Sequence, residues 1–338
     1  MGLLNALKRR VVPLSSTLIL VALIPFQALL ISKVFICGWE LNGAVISLFV
    51  SFIILPVVFF VSFPSFYEGN IEFLKKSIKY AILFISSFGI FLFIYKYLTS
   101  NFIEIPYLTV NVDDMGQLES KNIDRGIIFK LISTYNNGNV YGICVLMLLP
   151  LFCLLERRYL SHLLVKFSLF LTFSRTVWVG LCLFEILEVT IFKLMKRSIL
   201  RWVIDLSLIL LFVFIFYFIG FNFGFLLDSE FGGRRAQLSL SPTFFSKEPL
   251  EVIGEMSYIG VLREFGLLGL LLFVVALFTP LFFLKGEMGK VSLFGALLYL
   301  FVSLSDGALE LIPVMAFYWG LVSIGLINYN LVDENVSH

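Results

Sequence analysis

Three arginines carry the chemistry that this sequence is best equipped to perform. Arg234 and Arg235 stand side by side behind Gly232-Gly233, within a polar stretch from Phe221 to Tyr258 that long apolar runs flank on both sides. Arg175 interrupts the apolar segment 163–192 in Ser174-Arg175-Thr176. A guanidinium keeps its charge and offers a planar fork that grips phosphate through two parallel hydrogen bonds. The glycine pair lets the backbone come close to such a ligand. The polar stretch ends in Glu248, Glu251 and Glu255. Carboxylates are the main candidates for a general base, because only two histidines are present: His162 in a basic loop and His338 at the last position. The four cysteines show no CxxC or His-Cys spacing, which argues against both a disulfide framework and a metal site.

Each of these residues also has a plainer reading. Arg175 is then an interfacial side chain that snorkels toward water, and the Arg234/Arg235 pair is a solvated loop charge. Asn136, Asn137 and Asn139 stand where a helix cap is wanted, although Asn136 and Asn139 also suit sugar or phosphate contacts. Glu185 and Glu188 are placed to pair with nearby lysines, Arg263 and Glu264 to mark an interface, and Asp306 and Glu310 to occupy a short turn.

The elements that position these groups are helices in lipid. Hydrophobic residues make up 59% of the 338 and charged ones 14%, against about 45–50% and about 25% in a soluble domain. The apolar residues fall into runs that suit spans of roughly 20 residues. Expected spans run from about 13 to 32, 43 to 62, 80 to 97, 140 to 155, 202 to 220, 265 to 284, 291 to 304 and 311 to 327. The segment 163–192 is too long for one span and would place Arg175 at mid-depth, at a cost of about 2.5–3.5 kcal/mol. A hairpin of two short spans turning at Ser174-Arg175 avoids that cost. Basic residues before it (Arg157, Arg158, Lys166) and after it (Lys193, Lys196, Arg197, Arg201) place both its ends in the cytoplasm by the positive-inside rule, which also requires an even number of crossings.

The expected fold is therefore all-α: one polytopic transmembrane domain of about ten helices over residues 1–338. Two long segments, 99–137 and 221–258, face outward together with the Ser174-Arg175 turn. The N-terminal apolar run lacks a small-residue cleavage site and reads as a span, not as a signal peptide. A net charge of +2 gives no reason to expect a nucleic-acid partner.

Four segments resemble the O-antigen polymerase/ligase family. They are LTFSRTVWVGL (171–181), NNGNVYGICVLMLLP (136–150), GGRRAQLSLSPTFFSKEPLEVIGE (232–255) and SYIGVLREFGLLGLLLF (257–273). The resemblance spans about residues 125–285. It implies a multi-pass glycosyltransferase of the C type in the bacterial inner membrane, using neither metal nor nucleotide sugar and carrying a large periplasmic loop at 221–258. Such an enzyme transfers a glycan from undecaprenyl pyrophosphate to an acceptor sugar hydroxyl on the periplasmic face. The resemblance further implies pyrophosphate contacts from Arg175 and Arg234, with Arg235 as the alternative to Arg234. Substrate contacts would come from Ser174, Asn136, Asn139 and Tyr258, and Glu255 would be the base. Membrane lipid and a chain-length regulator protein are the implied partners. The family's ligases carry a histidine just before the span that follows the large loop. Here that region reads Gly254-Glu255-Met256-Ser257-Tyr258, which favours a polymerase over a ligase. A polysaccharide flippase is the reading from another class, and the near absence of charge in the first, second, third and last two spans weighs against it.

Overall fold

Long apolar runs free of helix-breaking polar clusters become long helices, because in lipid each backbone group must be satisfied within the chain. The computed structural model describes residues 12–37, 43–64, 70–112, 115–116, 124–125, 128–135, 137–193, 207, 214, 218, 243–247, 250 and 253–336. It divides the chain into two units, one of residues 1–75 with 233–338 and one of residues 76–232.

In the first unit, α1 (Leu14–Cys37) and α2 (Gly43–Ser62) pack with α7 (Ser257–Phe278), α8 (Gly286–Val302) and α9 (Ile312–Val336). The second unit holds α3 (Ile71–Thr99) from residue 76 onward, then α4 (Gly138–Leu155), α5 (Tyr159–Phe170) and α6 (Arg175–Leu187). Among the described residues between α3 and α4 are a 3-10 turn at Ser133–Tyr135 and one antiparallel two-residue pair, β1 (Asp124–Arg125) with β2 (Ile128–Phe129).

Among the described residues five helices are long and apolar enough to cross a membrane: Leu14–Phe35, Gly43–Ser62, Ile71–Thr99, Gly138–Leu155 and Ser257–Phe283. The chain is thus a helical protein with several candidate membrane spans, and the count falls short of the expected ten. Helix α8 has 17 residues, the apolar part of α9 runs only from Ile312 to Ile327, and the span expected at 202–220 lies largely outside the described residues. The expected hairpin does form, but its first arm, α5, has 12 residues. That is about 18 Å of helix against a hydrocarbon core of about 30 Å, so this arm is shorter than a full span.

Helix α2 shows how the first unit handles proline in lipid. Pro56 has no N–H, so in an α register the carbonyl of Phe52 loses its donor, and in a π register the carbonyl of Ser51 does. Residues Val50–Ile54 are π-helical, and both carbonyls are served from other helices. Gln27 Nε2 of α1 donates to Phe52 O at 2.7 Å, and Trp319 Nε1 of α9 donates to Ser51 O at 2.7 Å. The second π turn, Val58–Ser62, precedes Pro64, and Ser323 Oγ donates to Phe59 O at 2.7 Å. Buried rings fill the space around these bonds: Phe26, Phe52, Phe60, Phe273 and Trp319.

Candidate functional site

In the second unit the site is built on the turn between α5 and α6. Phe173 takes a left-handed conformation (φ 46°), which breaks the helix and lets α6 restart at Arg175. Thr172 Oγ1 donates to Leu169 O at 2.7 Å, and the Leu131 N–H donates to Leu171 O at 2.9 Å. Trp178, one turn into α6, stacks on Phe170 at 4.8 Å and donates from Nε1 to Phe170 O at 2.8 Å. Leu131, Ile132, Ser133, Leu171, Thr172, Phe173 and Ser174 are all buried. The chain thus encloses the irregular backbone of this turn itself, which satisfies its polar groups without solvent.

Ser174 is the residue before α6, and its side chain makes no capping bond to the helix. Arg175 is the first helical residue and is half-buried. The first N–H groups of a helix have no partner within it, and the aligned peptide dipoles place positive charge at that end. A guanidinium there adds a cation beside the helix dipole, a combination that suits an anion.

Asn137, and not Asn139, caps α4: its Oδ1 accepts the Asn139 N–H at 2.9 Å. Asn139 Oδ1 in turn accepts from Lys130 Nζ at 3.3 Å. Asn136, Arg234 and Arg235 lie outside the described residues.

The first unit holds a second concentration of polar groups, at a break in α7. Gly266 has φ 76° and ψ −173°, which interrupts the helix. The freed N–H groups of Leu267 and Leu268 donate to the carbonyls of Thr243 and Phe244, at 3.0 and 3.1 Å. The carbonyl of Glu264, which would have accepted from Leu268, accepts instead from Lys33 Nζ of α1. That ammonium also lies 3.3 Å from both the carbonyl and the hydroxyl oxygen of Ser246. A Cβ at Gly266 would sit 2.7 Å from Phe244 O, so the close crossing of the two backbones requires glycine there.

A short distance along the chain, the end of the polar stretch is tied to the turn between α8 and α9. The Gly307 N–H donates to Glu255 O at 2.9 Å, and the Ile253 N–H donates to Glu310 Oε1. Glu255 itself is exposed. Tyr258 is half-buried and donates its hydroxyl proton to Leu300 O at 3.0 Å. Arg263 Nε pairs with Glu264 Oε1 at 2.9 Å.

Of the expected site residues, the structure joins Ser174 and Arg175 at the hairpin tip and places Glu255 and Tyr258 beside the 303–311 turn. It also shows buried charged residues that the sequence reading passed over. Lys33 is fully buried, whereas the first span was expected to end at Ser32. Helix α1 continues to Cys37, which carries the lysine inside. The signal lay in Val34-Phe35-Ile36-Cys37: an apolar run that resumes after one lysine marks a continuing helix. Lys96 of α3, inside the third expected span, is buried as well, so the expectation that the first and third spans carry almost no buried charge is corrected.

No protein-family model, no curated protein and no solved structure matches this chain.

Proposed function

We propose that this chain polymerises lipid-linked O-antigen or similar surface-polysaccharide repeat units. It takes the glycan from undecaprenyl pyrophosphate and passes it to an acceptor sugar hydroxyl, as a multi-pass protein of about ten spans in the bacterial inner membrane with its working face toward the periplasm. The observation that carries this reading is the hairpin tip. A half-buried Arg175 at an uncapped helix N-terminus combines a guanidinium with the helix dipole, and a departing lipid pyrophosphate needs such a partner for its developing charge. The sequence supplies Arg234 and Arg235 as further cations for the same leaving group. Neither a metal nor a nucleotide is required by this chemistry.

The break in α7 and the buried Lys33 favour a second reading, a flippase for lipid-linked glycans. Transporters use discontinuous helices whose free ends face the substrate. In this chain those ends are filled by its own groups: the carbonyls of Thr243 and Phe244 on one side and the ammonium of Lys33 on the other. The break reads as a fixed crossing of two chain segments, and the polymerase reading stands first.

The test is deletion of the gene followed by complementation, with surface polysaccharide read on a gel. Deletion leaves one repeat unit per lipid core, and the wild-type gene restores the ladder. Arg175→Ala stays at one repeat with normal protein in the membrane, and Arg175→Lys, which keeps the charge but loses the fork, falls well below wild type. Loss of all attached polymer on deletion indicates a ligase. An unchanged ladder in both arginine variants removes the phosphate role.

A further inference from the structure

Helices α4 and α6 of the second unit begin side by side. Tyr141, near the start of α4, meets Ser168, near the end of α5, through their hydroxyls at 2.6 Å. Trp178, near the start of α6, stacks on Phe170, the last residue of the same α5. Helix α5 is therefore antiparallel to both neighbours, and α4 and α6 run parallel from one end. They also touch: a Cβ built at Gly142 would overlap Val177 Cγ2. Gly142 is four residues into α4 from Gly138, and Val177 two residues into α6 from Arg175. At about 1.5 Å per residue the two starts stand within about 3 Å of one level.

Lys130 is brought to the same end. The N–H of the next residue, Leu131, donates to Leu171 O of the hairpin turn at 2.9 Å, and a Cβ built at Gly138 would lie 3.1 Å from Lys130 Cβ. The Lys130 ammonium donates to Oδ1 of Asn139 at 3.3 Å, and the Asn139 N–H is in turn fixed by Asn137 Oδ1. An ammonium at the start of α4 and a guanidinium at the start of α6 thus share one end of this unit. Beside Arg175 stands Ser174, 4% exposed and in the extended conformation of an N-cap (φ −99°, ψ 121°). Its hydroxyl nevertheless makes no capping bond and meets no partner among the described residues. A buried hydroxyl without a partner costs free energy, and a phosphate oxygen on Arg175 supplies what is missing. Resting on the polymerase reading above, we propose that Lys130 is the second cation of the pyrophosphate site. Arg175 and Ser174 hold one phosphate of the lipid pyrophosphate, and Lys130, aimed by Asn139, holds the other.

The two side chains suit different halves of such a ligand. The planar fork of Arg175 grips one phosphate through two parallel hydrogen bonds, whereas the compact ammonium of Lys130 acts as a point charge with donors that rotate to meet the other. A lipid monophosphate engages only the arginine half, so the pair reads the number of phosphates on the lipid. Asn139 acts through the lysine and is a positioning residue. All four residues, Lys130, Asn139, Ser174 and Arg175, lie in the second unit.

The experiment uses the full-length protein in lipid nanodiscs and measures dissociation constants for undecaprenyl pyrophosphate and undecaprenyl phosphate. Wild type prefers the pyrophosphate by about tenfold or more, the scale of one charge-assisted hydrogen bond. Lys130→Met lowers pyrophosphate affinity to the monophosphate level and leaves monophosphate binding and the melting temperature unchanged. Lys130→Arg keeps the preference and Asn139→Ala loses part of it. Lys75→Met, at an exposed pair with Glu72, keeps all of it. Arg175→Ala weakens the binding of both lipids. Inorganic pyrophosphate displaces the lipid from wild type, because the headgroup and not the chain is what these residues read. A preference that survives in Lys130→Met overturns the assignment, as does a wild type that shows none. An equal loss for both lipids in Lys130→Met also overturns it and leaves the lysine a structural residue. Inorganic pyrophosphate that never competes does the same for the headgroup site. If the preference behaves as stated but deletion of the gene leaves the polysaccharide ladder unchanged, the pyrophosphate site stands and the polymerase reading falls.

Discussion

Lys166 Nζ lies 2.7 Å from Glu185 Oε1. On one straight helix these residues would be about 28 Å apart at 1.5 Å per residue, so the contact requires the chain to fold back between them. The ion pair joins α5 to α6 and holds the hairpin closed below Ser174 and Arg175. Both side chains are largely withdrawn from solvent, at 10% and 17% exposure. Removing one partner takes this ion pair from the other, which costs up to about 3–5 kcal/mol for a buried pair. Lys166→Met therefore lowers the melting temperature of the detergent-solubilised protein sharply. Replacing both, as Lys166→Met with Glu185→Met, restores most of it, because a well-packed apolar pair can match a buried ionic one. A double variant as unstable as the sum of the two singles contradicts this account.

Proline in α2 gives a cleaner test. Gln27 serves Phe52 O and Trp319 serves Ser51 O because Pro56 serves neither. Gln27→Leu leaves a buried carbonyl without a donor and costs about 1–3 kcal/mol. In a Pro56→Ala background the restored N–H supplies the missing bond, and the same substitution costs much less. The double-mutant cycle then shows coupling well above the roughly 0.3–0.5 kcal/mol that separates independent sites. Additive losses would show that Gln27 acts through packing alone.

The hairpin was legible in the sequence because two constraints bear on the same residues. Insertion energy disfavours Arg175 at mid-depth, and basic residues at both ends of 163–192 require an even number of crossings. The reach of the arms was not legible, since periodicity and hydropathy do not register a break at Phe173 that depends on a left-handed φ and on Leu131 arriving to bond Leu171. The second helix, expected at 43–62, is found at Gly43–Ser62, but the two donors that make Pro56 tolerable come from α1 and α9. No local pattern announces a partner so distant in the chain. The crossing at Gly266 was hidden for the same reason: a glycine in an apolar run looks like any small residue in a membrane helix until Phe244 is found against it. Arg263 and Glu264, read in the sequence only as marking an interface, pair with each other. The hydrogen bond of Lys33 to Ser246 joins residues too remote in the chain for any local pattern to announce.

Gly266 separates the fixed-crossing reading of α7 from a movable one. Any side chain there must adopt φ 76° with ψ −173° and meet Phe244 O at 2.7 Å. Strain of this kind costs about 1–3 kcal/mol before the clash is counted. Gly266→Ala therefore drives the 243–246 segment off the helix break, freeing the N–H groups of Leu267 and Leu268 and removing an acceptor from Lys33. Ser246 is only 6% exposed, so a Ser246→Cys reporter reacts slowly with a water-soluble maleimide in the parent protein and rapidly once Gly266→Ala is added. Gly43→Ala, at a helix start where an added Cβ meets nothing within 4 Å, leaves the labelling rate unchanged. A reporter already fast in the parent would mean that the crossing opens on its own, and the filled helix ends that count against a transporter would then be available to a substrate.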